Sequence, residues 1–235
     1  MIYAISDIHG QYNQFMRILE IIKFNEKDTL YVVGDVVDRG PHPIKILQYM
    51  MERPNIIPII GNHELMAYDG LKLLLKEITE ESIHEMDEQS MELLADWIRN
   101  GAMSTISEFR ALSHEERVKI MDYLGEFSAY EEVKAGGKDY LLVHAGIADF
   151  DPSKDLAEYA LDDFLWTRTD YEIPYFEDRY TISGHTPTQG ILGNTRPGYI
   201  FRANNHIAID CGACHRNGRL AAFCLETEEE FYSRE

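Results

Sequence analysis

The sequence predicts an α/β fold, a parallel or mixed sheet covered by helices and interrupted by a helical insertion. Three observations carry this expectation. Apolar strand-like runs alternate with amphipathic helical stretches three times before residue 65, helical periodicity takes over from Leu65 to about Leu124, and strand patterns return after residue 127.

The first unit is a strand over Met1–Ile5, a loop at Ser6-Asp7-Ile8-His9-Gly10, and a helix from Gln11 to Phe24. Phe15, Ile18, Leu19 and Ile22 fall on one face of that helix. The second unit runs from a strand at 29–33 through the loop Gly34-Asp35-Val36-Val37-Asp38-Arg39-Gly40 into a helix near 42–52, striped by Ile44, Leu47 and Met51. The third opens with Ile56-Ile57-Pro58-Ile59-Ile60, whose proline either argues against a strand or puts it at a sheet edge, and continues into Gly61-Asn62-His63-Glu64.

Residues 65–125 read as a helical, cap-like insertion within a single domain of 1–235, with a capping box at Ser113-His114-Glu115-Glu116. Residues 77–92 carry seven acidic side chains and neither Lys nor Arg; this is either a solvated helix face or a lid that attracts basic peptides and repels polyanions. Strands at about 127–134 and 139–143 flank Gly136-Gly137, a hairpin signal, and the second ends in His144-Ala145-Gly146. A short helical stretch holds Leu165-Trp166-Thr167-Arg168, and a strand at Tyr180–Ser183 delivers Gly184-His185-Thr186. A β meander over 198–202, 206–210 and 219–225 and a frayed acidic tail from Glu226 complete the expectation.

Bulk properties exclude several classes. With 41 acidic against 22 basic residues and a net charge of −19, the chain lacks the basic face that binding nucleic acid or an anionic membrane requires. A strand starting directly after Met1 leaves no room for a signal peptide, no apolar run reaches membrane-spanning length, and three cysteines give no disulfide framework. A cytoplasmic location is expected; composition sets no oligomeric state.

Five apolar runs therefore end in loops bearing Asp, Asn or His: Asp7 and His9, Asp35 and Asp38, Asn62 and His63, His144, and His185. Strand carboxyl ends form the ligand site of open α/β sheets, so these loops are expected to converge. Bare carboxylates beside a core persist only when paired or bound to a cation, and Arg39 alone cannot satisfy both Asp35 and Asp38. Imidazoles, carboxylates and an amide oxygen without thiolate suit Mn, Fe or Zn, and six donor side chains exceed one tetrahedral ion. Two divalent ions are the usual device for displacement at phosphorus, with Arg39 and Arg168 available as planar donors to phosphate.

Asp7-Ile8-His9-Gly10, Gly34–Gly40, Gly61–Glu64, His144–Gly146 and Gly184–Thr186 follow one another as an ordered set. In this set the chain resembles the PPP family of metallophosphatases, of the bacterial and phage type, within the calcineurin-like phosphoesterases. The resemblance implies a β-sandwich of mixed sheets flanked by helices. It implies that Asp7, His9 and Asp35 hold a first metal and that Asp35 bridges to a second completed by Asn62, His144 and His185. Manganese is the expected ion, with iron or zinc as alternatives. A hydroxide between the metals would attack phosphorus, His63 would protonate the leaving oxygen with Asp38 orienting it, and Arg39 and Arg168 would clamp the phosphoryl group.

The expected activity is metal-dependent phosphomonoester hydrolysis, foremost by a serine/threonine protein phosphatase acting on a phosphorylated protein or a small phosphate ester. The alternative is a symmetrical bis(5′-nucleosyl)-tetraphosphatase; such enzymes usually read Gly-Asn-His-Asp where this chain has Glu64. A non-catalytic metal-binding scaffold that recognises phosphoproteins would have lost chemical residues, and none is missing. Cys211-Gly212-Ala213-Cys214-His215 matches a haem-attachment spacing but has neither a signal peptide nor a second cysteine pair, and reads as two small buried residues near a turn. No P-loop spacing is present.

Overall fold

Two five-stranded sheets stack face to face, and their central strands are runs apolar on both faces. The computed structural model describes residues 1–75 and 87–234. Ile2–Ile5 (β1), Thr29–Val33 (β2) and Ile56–Ile59 (β3) pair in parallel, with Ile2 opposite Thr29 and Leu30 opposite Ile56. Parallel pairing needs crossovers, supplied by α1 (Tyr12–Ile21) and α2 (Pro43–Met51). Pro43 starts α2 where a missing N–H costs nothing. Helix α3 (Asn62–Leu74) follows β3 directly. Strand β3 is the sheet edge, which is where Pro58 is tolerated.

The second sheet begins with the hairpin of β4 (Tyr130–Ala135) and β5 (Lys138–Val143). Gly136 and Gly137 have φ of 56° and 77°, the left-handed pair that a two-residue hairpin turn needs. Strand β5 runs parallel to β6 (Tyr180–Ser183), and β6 parallel to β8 (His206–Ala208), which pairs antiparallel with β7 (Phe201–Ala203). The last residues do not form one meander. The chain crosses back, and β9 (Ala221–Cys224) joins the first sheet beside β1, with β10 (Glu230–Tyr232) outside it. The expected frayed tail is thus an edge strand, because Phe231 and Tyr232 bring apolar surface that the acidic composition around them conceals.

Side-chain alternation explains the stacking. Ala4, Val33, Ile59 and Phe223 of the first sheet meet Tyr140, Leu142, Ile182 and Ile207 of the second. Tyr3, Ile5, Leu30 and Val32 point the other way, onto the helices. Leu141 and Val143 cover the far side with Phe164 and Tyr159. Burying a side chain of this size stabilises by about 1.5–3 kcal/mol relative to exposure, so both faces of every central strand favour the same register.

Between Ile59 and Tyr130 no strand occurs among the described residues. Helices α4 (Glu88–Arg99), α5 (Met103–Ala111) and α6 (His114–Leu124) fill the segment. Asp87 caps α4 by accepting from the Ser90 N–H at 2.8 Å, and the Ser113–Glu116 capping box starts α6 as its sequence predicts. Of the acidic stretch 77–92, residues 77–86 lie outside the described residues. Leu165–Arg168 is not helical; the short 3-10 turn is Leu161–Phe164, just before it. Among the described residues no helix is long and apolar enough to cross a membrane.

Candidate active site

The loops after β1, β2, β3, β5 and β6 meet at one end of the sandwich. Sharp turns out of the strands put Asp7, His9, Asp35, Asp38, Arg39 and His185 at positive φ, between 44° and 69°. Asp and His tolerate this region better than most residues, which is one reason these loops are built from them. Backbone bonds lock the first two loops together: Asp7 N–H to Gly34 O at 3.0 Å, His9 N–H to Asp35 O at 2.9 Å, Gly10 N–H to Val36 O at 2.8 Å. Gly34, at φ 75°, has no room for a Cβ because the His144 imidazole lies against it.

Two sets of donor atoms converge on Asp35. One is His9, Asp35 and His63, the other Asp35, His144 and His185, each with its candidate atoms within 4.8 Å of one another. The Asp35 Oδ2 faces His9 Nε2 at 3.5 Å, while Oδ1 faces His144 Nε2 at 3.4 Å. One carboxylate thus presents an oxygen to each set. The His9 Nδ1–H donates to Val37 O at 2.9 Å and the His144 Nδ1–H to Val33 O at 3.0 Å, tautomers assigned from these carbonyl partners. Each Nε2 lone pair is then turned into the site. His144 Nε2 and His185 Nδ1 both lie 3.0 Å from Asn62 Oδ1, and Nε2 of His144, like that oxygen, is an acceptor in this tautomer. Converging lone pairs are stable only around a cation, so the residues present fit divalent ions.

Charge states agree. Burial lowers the His9 pKa to about 3 and, with the neighbouring His144, that of His185 to about 4, leaving both neutral and able to ligate. Asp7 stands beside these sets. It accepts from the His185 N–H at 3.1 Å, and burial together with Asp210 and Asp35 raises its pKa.

His63, a member of the first set, is also bonded to Asp38 and Arg39. The His63 Nδ1–H donates to Asp38 Oδ2 at 2.7 Å, and burial, which would lower its pKa, is outweighed by Asp35 and by this bond, so the pKa is raised. Arg39 pairs with neither aspartate of its own loop. Its guanidinium donates to His9 Nε2 at 2.7 Å and to His63 Nε2 at 2.8 Å, facing the cleft. Asp38, fully buried, also accepts from Trp97 Nε1 at 2.8 Å and Thr105 Oγ1 at 2.6 Å. The helical segment therefore supports the site from behind, and Gly101 O accepts the Arg39 N–H at 3.0 Å. Sequence reading missed Trp97 and Thr105. A clue existed in Trp97, since a buried indole N–H needs an acceptor.

Glu64 was also missed as a site residue. Its Oε2 accepts from the N–H groups of Asp35 at 2.7 Å and Gly61 at 2.9 Å, and its Oε1 from those of Val36 at 2.8 Å and Val37 at 3.1 Å. Fully buried, it fixes the loop that carries Asp35 and does not line the cleft. Asp210 is a second omission. It lines the cleft, accepts from the Gly212 N–H at 2.8 Å, and burial pushes its pKa up to about 7.

An open cleft of about 630 Å³ lies over these groups, and Arg39, Asn62, His63, Trp166, Arg168 and His185 are among the residues that line it. Arg168 is exposed and held by one bond, to Thr186 Oγ1 at 3.3 Å. Cys211 is buried as expected, but Cys214 lines the cleft with its sulfur 3.9 Å from Arg39. All ten residues singled out in the sequence thus lie at this end of the molecule.

Residues 1–208 match the family model described as calcineurin-like phosphoesterase, and the chain belongs to that family. It is an enzyme family of phosphoester hydrolases, and the two mixed sheets flanked by helices are its fold. Among curated proteins, the chain is 27% identical over 260 residues to bis(5′-nucleosyl)-tetraphosphatase PrpE [asymmetrical] of Halalkalibacterium halodurans, covering 97% of this chain and 91% of that protein. It is 35% identical over 103 residues to the symmetrical bis(5′-nucleosyl)-tetraphosphatase of Nitrosospira multiformis, covering 42% of this chain and only 37% of that protein. Among solved structures, a putative diadenosine tetraphosphatase superposes with a TM-score of 0.61 at 16% identity, over 98% of this chain and 91% of that one. A protein serine/threonine phosphatase of Saccharomyces cerevisiae superposes at 0.54 and 16% identity, over 94% of this chain and 71% of that one. These structural likenesses establish the fold.

Proposed function

We propose that the chain hydrolyses dinucleoside tetraphosphates, with asymmetrical cleavage to a nucleoside triphosphate and a nucleoside monophosphate. Coverage carries this reading: the relative matched along nearly its whole length is named for that reaction, whereas the relatives named symmetrical are matched over less than half of theirs. The protein serine/threonine phosphatase expected from the sequence becomes the second reading. Its residue-level support was Glu64, and that carboxylate is spent on four backbone N–H groups away from the cleft, so it says nothing about the substrate.

In this reading Asp7, His9 and Asp35 would hold one divalent ion and Asp35, Asn62, His144 and His185 another, manganese being the first candidate. Such ions, when bound, neutralise phosphate charge and lower the pKa of water enough to make a nucleophile at neutral pH. Arg39 exchanges His9 and His63 for phosphoryl oxygens, freeing His63 Nε2 to carry a proton. His63, its pKa raised, gives that proton to the leaving oxygen, and Asp38 holds the other ring nitrogen in place. Arg168 contributes a second planar donor. The segment 65–125 acts as an insertion that buttresses Asp38 and Arg39 through Trp97, Thr105 and Gly101.

The test is product analysis with diadenosine tetraphosphate and manganese. ATP plus AMP is expected; two ADP would make the cleavage symmetrical. Release of phosphate from phosphoserine peptides with the dinucleotide left intact would overturn the proposal.

A further inference from the structure

The cleft is far larger than one phosphoryl group, and one aromatic side chain that lines it, Trp166, packs against no other ring among the described residues. The chain contains two tryptophans. Trp97 is fully buried and bonded to Asp38, whereas Trp166 is 47% exposed and lines the cleft. Burial alternates along this stretch: Leu165 and Thr169 are buried, and Trp166 and Arg168 face outward together. Two residues of chain separate their Cα atoms by at most ~7 Å. A guanidinium that takes phosphate thus stands beside an open indole face.

We infer that Trp166 is a stacking platform for the nucleobase of a nucleotide whose phosphate lies at Arg168. The inference rests on the nucleotide reading above and names the group that would distinguish nucleotides from other phosphate esters at this site. Base–aromatic stacking tolerates any base because each has a π face, and the sugar supplies the spacing from phosphate. Besides Pro187, Gly212 and Cys214, the lining offers the polar side chains of Gln11, Asn100 and His215. Such groups match the hydrogen-bonding edges of a heteroaromatic ring and would be wasted on the aliphatic side chain of a phosphopeptide.

Tryptophan fluorescence of the manganese-loaded protein tests this without turnover. AMP is expected to quench emission, ribose 5-phosphate, which differs by lacking the base, is expected to leave it, and Trp166→Phe is expected to remove the difference. In kinetics, Trp166→Ala should raise the KM for diadenosine tetraphosphate relative to inorganic tripolyphosphate by about 5- to 150-fold, equivalent to about 1–3 kcal/mol. Trp166→Phe, which keeps a π face, should hold that ratio within about threefold. Equal responses to AMP and ribose 5-phosphate, a quench that survives in Trp166→Phe, or a stronger quench by a phosphoserine peptide than by AMP would overturn the inference. Failure to hydrolyse the dinucleotide would sink the proposed activity, and the AMP comparison would still decide the stacking.

Discussion

The two walls of the cleft are built differently. On the first-sheet side, Asp35, Asp38 and Arg39 sit in a loop held by the four bonds of Glu64, by Trp97 and Thr105, and by Gly101. On the second-sheet side, His144 is pinned across the sandwich to Val33 O, but Arg168 has a single 3.3 Å bond and Trp166 is exposed. Chemistry that depends on ångström placement belongs on the buttressed wall, and recognition that must admit and release a long anion belongs on the open one. The contrast implies that damage to Asp38, Arg39 or their supports lowers kcat, whereas damage to Arg168 or Trp166 raises KM.

The largest effect should come from the residue shared by both donor sets. Asp35→Asn is expected to lose ion binding at both positions, with elemental analysis finding less than one metal per chain and activity falling to the level of chelated protein. Full occupancy would remove Asp35 from the bridging role. Next, His63→Asn should lower kcat by about 10²–10⁴-fold, the usual range for a lost general acid, while metal content stays intact. Loss of metal in this variant would instead make His63 a ligand, as its place in a donor set allows.

Smaller changes sharpen the contrast between the walls. Glu64→Gln replaces an acceptor oxygen by an NH₂ that faces backbone donors, and should destabilise the fold by about 2–4 kcal/mol in denaturant titration. Trp97→Phe removes one of three donors to Asp38 and should lower kcat by about tenfold with little change in KM, as expected for a bond to a charged group. Arg168→Lys keeps the charge but loses the planar fork; a severalfold rise in KM at nearly constant kcat is expected. If Arg168→Lys lowered kcat more than Trp97→Phe did, the division between the two walls would fail.

Much of this was legible before any coordinates. Strands β1, β2, β3, β5 and β6 fall where apolar runs end in polar loops, and of the two outcomes that Pro58 allows, no strand or an edge strand, β3 takes the second. What escaped was β10, which pairs antiparallel with β9 just before it in the chain and whose Phe231 and Tyr232 are concealed by the acidic composition around them. Glu64, which as sequence bears on the choice between protein phosphatase and tetraphosphatase, is committed to backbone N–H groups and carries no information about substrate.

The sequence by itself determined that five strand ends carry ligand-type side chains, since strand periodicity and loop chemistry are local properties of the chain. Only the tertiary structure decided how the charges in Gly34–Gly40 are satisfied. Asp35 faces two sets of imidazoles, Asp38 is bonded to Trp97 and Thr105, and Arg39 lies across His9 and His63. The partners of Asp38 come from 59 and 67 residues away in the chain, a separation that no local pattern encodes. A buried carboxylate states that it needs donors; packing chooses which ones.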